Sequence, residues 1–263
     1  RNSMTVRLAG LDVPEKAALV TQLARAAVGD CEARLLRGDH ADPADNDAAM
    51  ALLTLTAKSP NKTRVGKAWA GKLVELALSS VPGHSITQPP SDATPYLVYW
   101  PALVDASQLS PTVTLDGANG EERYPVVNSP PTEATRAPIV ASKPAWDARL
   151  DGPTVRVPLG RVFGSRSGDK GGNANLGLWS KTTLAYTWLE HYLTVDEMRT
   201  LFSDLAPYPM TRTSLPNLNA VHFYIHGLLG EGVASSTRSD PQAKTLGEYV
   251  RARVVAMPAV LLS

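Results

Sequence analysis

The stretch GSRSGDKGGNANLG, residues 164–177, gathers five glycines with two serines, an arginine, an aspartate, a lysine and two asparagines, flanked by apolar runs. Successive amides of a glycine-rich turn can converge on one anion, and Arg166 and Lys170 add positive charge beside them. The same residues also make a long hairpin loop whose Asp169 and Asn173 hydrogen-bond their own backbone. Both readings fit the composition. Two sharper motifs do not. Gly164–Lys170 spaces as GxxxGDK, one residue short of a P-loop, and Gly171 stands where a Ser or Thr would meet magnesium. Ser167 and Lys170 match SxxK, but the glycines in and beside that run oppose the helix on which such a pair meets.

Other chemistry-bearing residues are sparser. His222 and His226 have a metal spacing for a helix, yet NAVHFYIHG reads as a strand, where both merely share a face, and no third ligand is near. Asp39–Asp47 holds four aspartates but lacks the glycine and closing glutamate of a calcium loop. His84 and Tyr99 are candidates for a cleft, with a turn and packing as their ordinary roles. No metal or cofactor is expected.

The elements that would position the loop follow from periodicity. In the first part, Met4, Val6 and Leu8 alternate as a half-buried strand. A helix starts at Asp12, with Pro14 and Glu15, shows Leu19, Leu23 and Ala26 at helical spacing, and stops at Gly29. Strands follow over 32–37 and 50–58, then a helix striped by Val65, Trp69, Leu73 and Leu76, then an extended run, YLVYWPALV, at 96–104. That order is the ferredoxin-like split βαβ unit. A hairpin turns at Asp116–Gly120. Residues 127–153 hold five prolines and read as a linker between domains 1–126 and 154–263. In the second part, TVRVPLGRVFG is strand-like and the loop joins it to a strand at NLGLWS. Helices are predicted over 183–192 and 195–205, the latter capped by Thr194 and Glu197. NAVHFYIHGLL is a buried strand, and AKTLGEYVRARVVAM closes the chain as a helix. Trp179 and Trp188 read as core. The fold class is α+β: two linked small α/β sandwiches of ferredoxin-like architecture.

Composition removes other function classes. The chain has 263 residues with 26 basic and 25 acidic side chains in no long block, so no nucleic-acid or membrane-surface footprint is present. There is no apolar run of membrane-spanning length and no signal-peptide core. One cysteine, Cys31, excludes an internal disulfide framework and suits a reducing cytoplasm.

The loop with its following strand, GSRSGDKGGNANLGLW, and a later block, RTSLPNLNAVHFYIHGLLGEGVASSTRSDPQAKTLGEYV, resemble the C-terminal small domain of the acyclic terpene utilisation (AtuA-like) family. Arg212, Pro216, Asn217, Gly230, Arg238, Asp240, Gln242 and Lys244 fall on its recurring positions. Ser165 replaces an alanine-like residue, Glu231 interrupts the Gly-rich turn, and Ala243 stands where glycine is usual. Residues 1–126 resemble the closing part of the family's long first domain. The resemblance implies a missing N-terminal half, and the expected partner is that half or, failing it, a second copy of the chain.

It also implies a place in the catabolism of acyclic terpenes such as citronellol and geraniol, whose intermediates are branched acyl-CoA thioesters. Two readings of different class follow. In one, an enzyme piece acts on an acyl-CoA, Asp169 and Lys170 serving proton transfer. The ligand-binding residues are then Ser165, Arg166, Ser167, Gly168, Gly171, Gly172, Asn173 and Asn175 in the loop, joined from the second block by Arg212, Asn217 and Arg238. Arg212 and Asn217 are expected to brace the loop. In the other, the chain is a non-catalytic binding or assembly subunit whose loop docks a partner.

Overall fold

The computed structural model describes residues 1–78, 81–118, 120–126 and 143–263. It divides into two compact units, Arg1–Leu97 with Thr237–Ser239, and Val98–Ser236 with Asp240–Ser263, each with a buried apolar cluster of its own.

The first unit runs β1 (Asn2–Ala9), α1 (Val13–Val28), β2 (Glu32–Leu36), β3 (Met50–Ala57), α2 (Lys67–Glu75) and β4 (His84–Ile86). The antiparallel sheet has the order β2-β3-β1-β4, so β3 separates the two strands that α1 joins, the split βαβ arrangement. Met4, Val6 and Leu8 are buried as their alternation requires. On α1 the buried stripe is Val13, Ala17, Val20 and Ala24, while Leu19 is exposed. Spacing of i, i+4, i+7 and i+11 keeps this smaller set on the sheet side, and Asp12 sits in the left-handed region without a side-chain cap. The closing strand is His84–Ile86, not 96–104. Residues 91–104 have no regular structure; their β-branched and aromatic content suits a strand, but no strand pairs with them.

The second unit contains a hairpin, β5 (Thr112–Gly117) with β6 (Gly120–Pro125), then β7 (Thr154–Pro158), β8 (Gly164–Lys170) and β9 (Asn173–Trp179). Helices α3 (Thr183–Tyr192) and α4 (Val195–Leu201), strands β10 (Met210–Leu215) and β11 (Ala220–Ile225), α5 (Leu246–Ala252) and β12 (Val254–Pro258) complete it. The main sheet has the order β10-β11-β9-β8, all antiparallel. Here β9 and β10, joined by α3 and α4, are parallel with β11 between them. The expected terminal helix ends at Ala252, and β12 pairs with β7 instead of joining this sheet. Thr194 caps α4 through the Glu197 amide at 3.1 Å, with Leu193 and Met198 fully buried beneath. Trp188 is buried and Trp179 is not. Of the predicted linker, residues 127–142 lie outside the described residues; Ala148–Asp151 forms a 3-10 turn that buries Leu150.

Candidate functional site

The glycine-rich stretch is a tight hairpin rather than a loop. Gly164–Lys170 pairs along its whole length with Asn173–Trp179, and only Gly171 and Gly172 turn the chain. Gly171 has φ +61° and Gly172 is not in the positive-φ region, the pattern of a type II′ turn, which needs glycine first. In an extended strand successive amides point to opposite sides, so the convergent amide nest is not formed over residues 164–170.

Register then sorts the site residues onto two faces. Ser165, Ser167 and Asp169 stand opposite Leu178, Leu176 and Ala174, all three buried, and so face the core side that the helices cover. There the Ser167 hydroxyl accepts a hydrogen bond from the Gly247 amide at 2.9 Å. A Cβ on Gly247 would come within 2.5 Å of Ser165 Oγ, so these serines seat α5. Ser165 Oγ is buried without a hydrogen-bond partner.

Arg166, Gly168 and Lys170 lie on the opposite face, beside Gly177, Asn175 and Asn173 of β9 and, one strand further, His222 and Tyr224 of β11. Neighbours in sequence, Asp169 and Lys170 therefore present their side chains to opposite sides of the sheet. Glycines at 168 and 177 keep the middle of the open face low, whereas the Trp179 ring lies over Gly164, where a Cβ would come within 2.5 Å of it. Asn173 Nδ2 donates to the Tyr224 hydroxyl at 2.9 Å, and its Oδ1 accepts from the Gly227 amide at 2.7 Å. Asn175 Oδ1 is buried with no partner. Burial lowers the His222 pKa below the ordinary histidine value, and the nearby Lys170 charge adds to the shift, so the imidazole is held neutral. Lys170 Nζ donates to the Asp169 carbonyl at 2.8 Å, and neither it nor Arg166 pairs with a carboxylate among the described residues.

Of the residues expected from the second block, Arg212 and Asn217 do not join this face. Arg212 is on β10, at the far edge of the sheet and on its core side, roughly 14 Å from β8 by strand spacing. Its guanidinium binds the Glu190 carboxylate at 2.9 and 3.0 Å and the Leu193 carbonyl at 2.9 Å, tying down the C-terminus of α3. Asn217 lies in the exposed turn between β10 and β11, at the Gly164–Trp179 end, opposite the Gly171–Gly172 turn. Bracing of the 166–175 hairpin by this pair is thereby overturned. Arg238 belongs to the other compact unit. Asp240 accepts from the Lys244 and Thr245 amides at 3.0 and 2.9 Å, closing the turn before α5. The Gly-rich turn at 227–232 does meet the hairpin. The Leu229 amide donates to the Gly172 carbonyl at 2.9 Å, and the Tyr99 ring lies over Gly171.

Gly164 and Trp179, at one end of the hairpin, line a cleft of about 280 Å³, which adjoins a cavity of about 490 Å³. Arg161 and Lys181 line both; Arg251, in the smaller, is engaged by Glu248 and by the Phe163 and Gly160 carbonyls. Sequence reasoning missed Arg161 and Lys181, because single basic residues beside a Gly or Ser carry no spacing signal. Among the described residues no group of three His, Cys, Asp or Glu side chains could hold a metal ion. His226 Nε2 instead meets the Thr211 hydroxyl at 3.0 Å.

Residues 1–115 match the profile of the acyclic terpene utilisation family protein AtuA, and residues 157–256 match the AtuA ferredoxin-like domain. The chain belongs to the acyclic terpene utilisation family. No curated protein and no solved structure shows significant similarity to it. Both blocks quoted from the sequence fall within the second match, and through Gly172 and Leu229 they touch. Among the described residues no helix is long and apolar enough to cross a membrane.

Proposed function

We propose that this chain serves acyclic terpene utilisation by holding a branched acyl-CoA thioester along the open face of the β8–β9 hairpin. The carrying observation is that Arg166 and Lys170, neither paired with a carboxylate among the described residues, share that face with Gly168 and Gly177. In this arrangement the CoA phosphates lie toward Arg161 and Lys181, beyond the Trp179 ring that covers Gly164, and the arm runs over Gly168. The thioester then sits near Lys170 and the neutral His222. Six residues of strand span about 20 Å, a length that suits an extended ligand.

Separation of Asp169 from Lys170 bears on the role of the chain. On opposite faces they cannot transfer a proton at one substrate atom, so a proton acceptor on the open face is His222. The second reading, a non-catalytic assembly subunit, draws on a different feature: the described residues from Val98 to Val126 are all exposed.

Thermal unfolding with and without citronellyl-CoA separates the two. Acyl-CoA binding predicts a raised melting temperature for the wild type, worth about 2.7 kcal/mol at a hundredfold excess over Kd, and little or none for Lys170→Ala or Arg166→Ala. No shift at saturating ligand, or an equal shift in these variants, removes the hairpin as the binding site.

A further inference from the structure

Two basic side chains far apart in the sequence line one continuous space. The β8–β9 register pairs Gly164 with Trp179, so Arg161, just before β8, and Lys181, just after β9, leave the hairpin at the same end. Arg161 closes the 3-10 turn Leu159–Arg161, and that turn is pinned: the Leu159 amide donates to the Arg253 carbonyl at 2.9 Å, and the Gly160 carbonyl accepts from Arg251 at 3.2 Å. Lys181 follows Ser180, whose amide donates to the Asn219 carbonyl at 3.0 Å and whose hydroxyl donates to the Thr182 carbonyl at 2.9 Å. Both side chains line the 280 Å³ cleft and the 490 Å³ cavity. Neither pairs with a carboxylate among the described residues, and no Asp or Glu among them lines either space. Cations of one sign in a cleft with low-dielectric walls focus their field on an anion.

We propose that the two spaces form a nucleotide pocket for the 3′-phosphorylated adenosine diphosphate end of coenzyme A, with phosphates in the cleft and adenine in the cavity. The choice of this nucleotide rests on the acyl-CoA reading above; its placement rests on the walls. Val157, Val162, Ala185 and Leu261 give the larger space apolar sides for a flat base, and its volume of about 490 Å³ falls within the roughly 300–1,000 Å³ of small-molecule sites. The cleft is the more basic of the two. Arg251 stands there with Arg161 and Lys181, although Glu248 engages it, while Ser263 with its carboxylate borders the cavity and not the cleft. Two cations that no carboxylate occupies suit a ligand carrying phosphate at both its 3′ and 5′ positions better than a monophosphate. Trp179, 37% exposed, lines the cleft on its hairpin side, so the pantetheine arm leaves the phosphates past its ring.

Calorimetric titration of the full chain with adenosine 3′,5′-bisphosphate, which lacks the arm and the acyl group, tests it. The wild type should bind this probe and should bind 5′-AMP about 10-fold more weakly or worse. Arg161→Gln and Lys181→Gln should each weaken the bisphosphate by about 10-fold or more, the loss of one charge-assisted contact. Arg199→Gln, which removes an exposed cation on α4 outside the pocket, should leave it unchanged, as should Lys170→Ala on the hairpin. Unliganded melting temperatures confirm that the variants fold; Arg161 and Lys181 are both exposed, so neither change disturbs the core. No binding of the bisphosphate, or binding by the Arg161 and Lys181 variants as tight as by the wild type, overturns the proposal. So does inorganic pyrophosphate binding as tightly as the bisphosphate, because phosphate alone would then be recognised. Failure here is distinct from failure of the hairpin reading. A citronellyl-CoA effect that needs Lys170, with no bisphosphate binding, keeps the hairpin and removes the pocket; bisphosphate binding that needs Arg161 and Lys181, with an acyl-CoA effect indifferent to Lys170→Ala, keeps the pocket and removes the hairpin.

Discussion

Gly172 lies so close to the carbonyl oxygen of Gly230 that a Cβ at residue 172 would overlap it. This is where the hairpin and the Gly-rich turn, separate in the sequence, become one structure. The obstacle is backbone held by the Leu229–Gly172 hydrogen bond, so it cannot swing aside as a side-chain tip would.

Replacement at this point should therefore be costly. Gly172→Ala is expected to destabilise by about 2 kcal/mol or more through overpacking. Gly168→Ala, two turns of the pleat away, meets only Asn175 Oδ1 at 3.7 Å and should cost less than about 0.5 kcal/mol. Urea denaturation of the two variants measures the contrast. Equal losses would mean that the turn relaxes and that the close approach is not a constraint.

The Arg212–Glu190 pair makes a second, pH-dependent prediction. Burial raises the Glu190 pKa, but the hydrogen bonds from Arg212 and Ser214 outweigh it, and the carboxyl sits below its ordinary value. A depressed folded-state pKa gives stability that is present above the unfolded value, near 4.3, and lost as pH falls through the folded one. Side-chain exposures of 15% for Arg212 and 4% for Glu190 make the lone partner expensive. Arg212→Met should cost about 3–5 kcal/mol at neutral pH, and Arg212→Met with Glu190→Met should recover most of it. Between pH 5 and 3 the wild type should lose more stability than the double variant. A double variant no better than the single one would locate the cost in packing rather than in the stranded charge.

Where periodicity was strong, the sequence was readable. Alternation at Met4, Val6 and Leu8 appears as read, because it depends on residues within one element; of the Thr194–Glu197 capping box one half forms, the Glu197 amide on Thr194, while the Thr194 amide goes to the Tyr192 carbonyl. Gly164–Lys170 was not readable as a strand: its Gly, Ser and Asp residues are turn formers, and pairing with the apolar β9 overrides that preference. The two-faced sorting of Asp169 and Lys170 follows directly from that pairing, so it was hidden along with the strand. Residues 96–104 mislead in the other direction. Their strand-like content has no partner, and the place beside β1 goes to His84–Ile86, three residues too few to show a period. Arg212 was placed at the site by its block, but contact with the hairpin is made by the 227–232 turn of that block, not by its arginine.

Ala243, where the resemblance implies a glycine, has a φ of +51°. A left-handed alanine costs about 1–2 kcal/mol, which glycine avoids. Glycine also adds about 0.5–1 kcal/mol of unfolded-state entropy and gives up a buried methyl worth about 0.8 kcal/mol, since Ala243 is only 2% exposed. These terms nearly cancel, so Ala243→Gly should change stability by less than about 1 kcal/mol. Ala174, fully buried in β9 with ordinary strand geometry, has no strain to release. There the entropy and burial terms add, and Ala174→Gly should cost about 1.5 kcal/mol. Ala243→Val should be the worst of the three, because a β-branched side chain fits the left-handed region poorly and the site is closed. Parallel denaturation curves should give the order Ala243→Gly, Ala174→Gly, Ala243→Val from mildest to most severe. An Ala243→Gly loss as large as that at Ala174 would show that the left-handed alanine carries no strain, and the usual glycine would then need a reason other than backbone conformation.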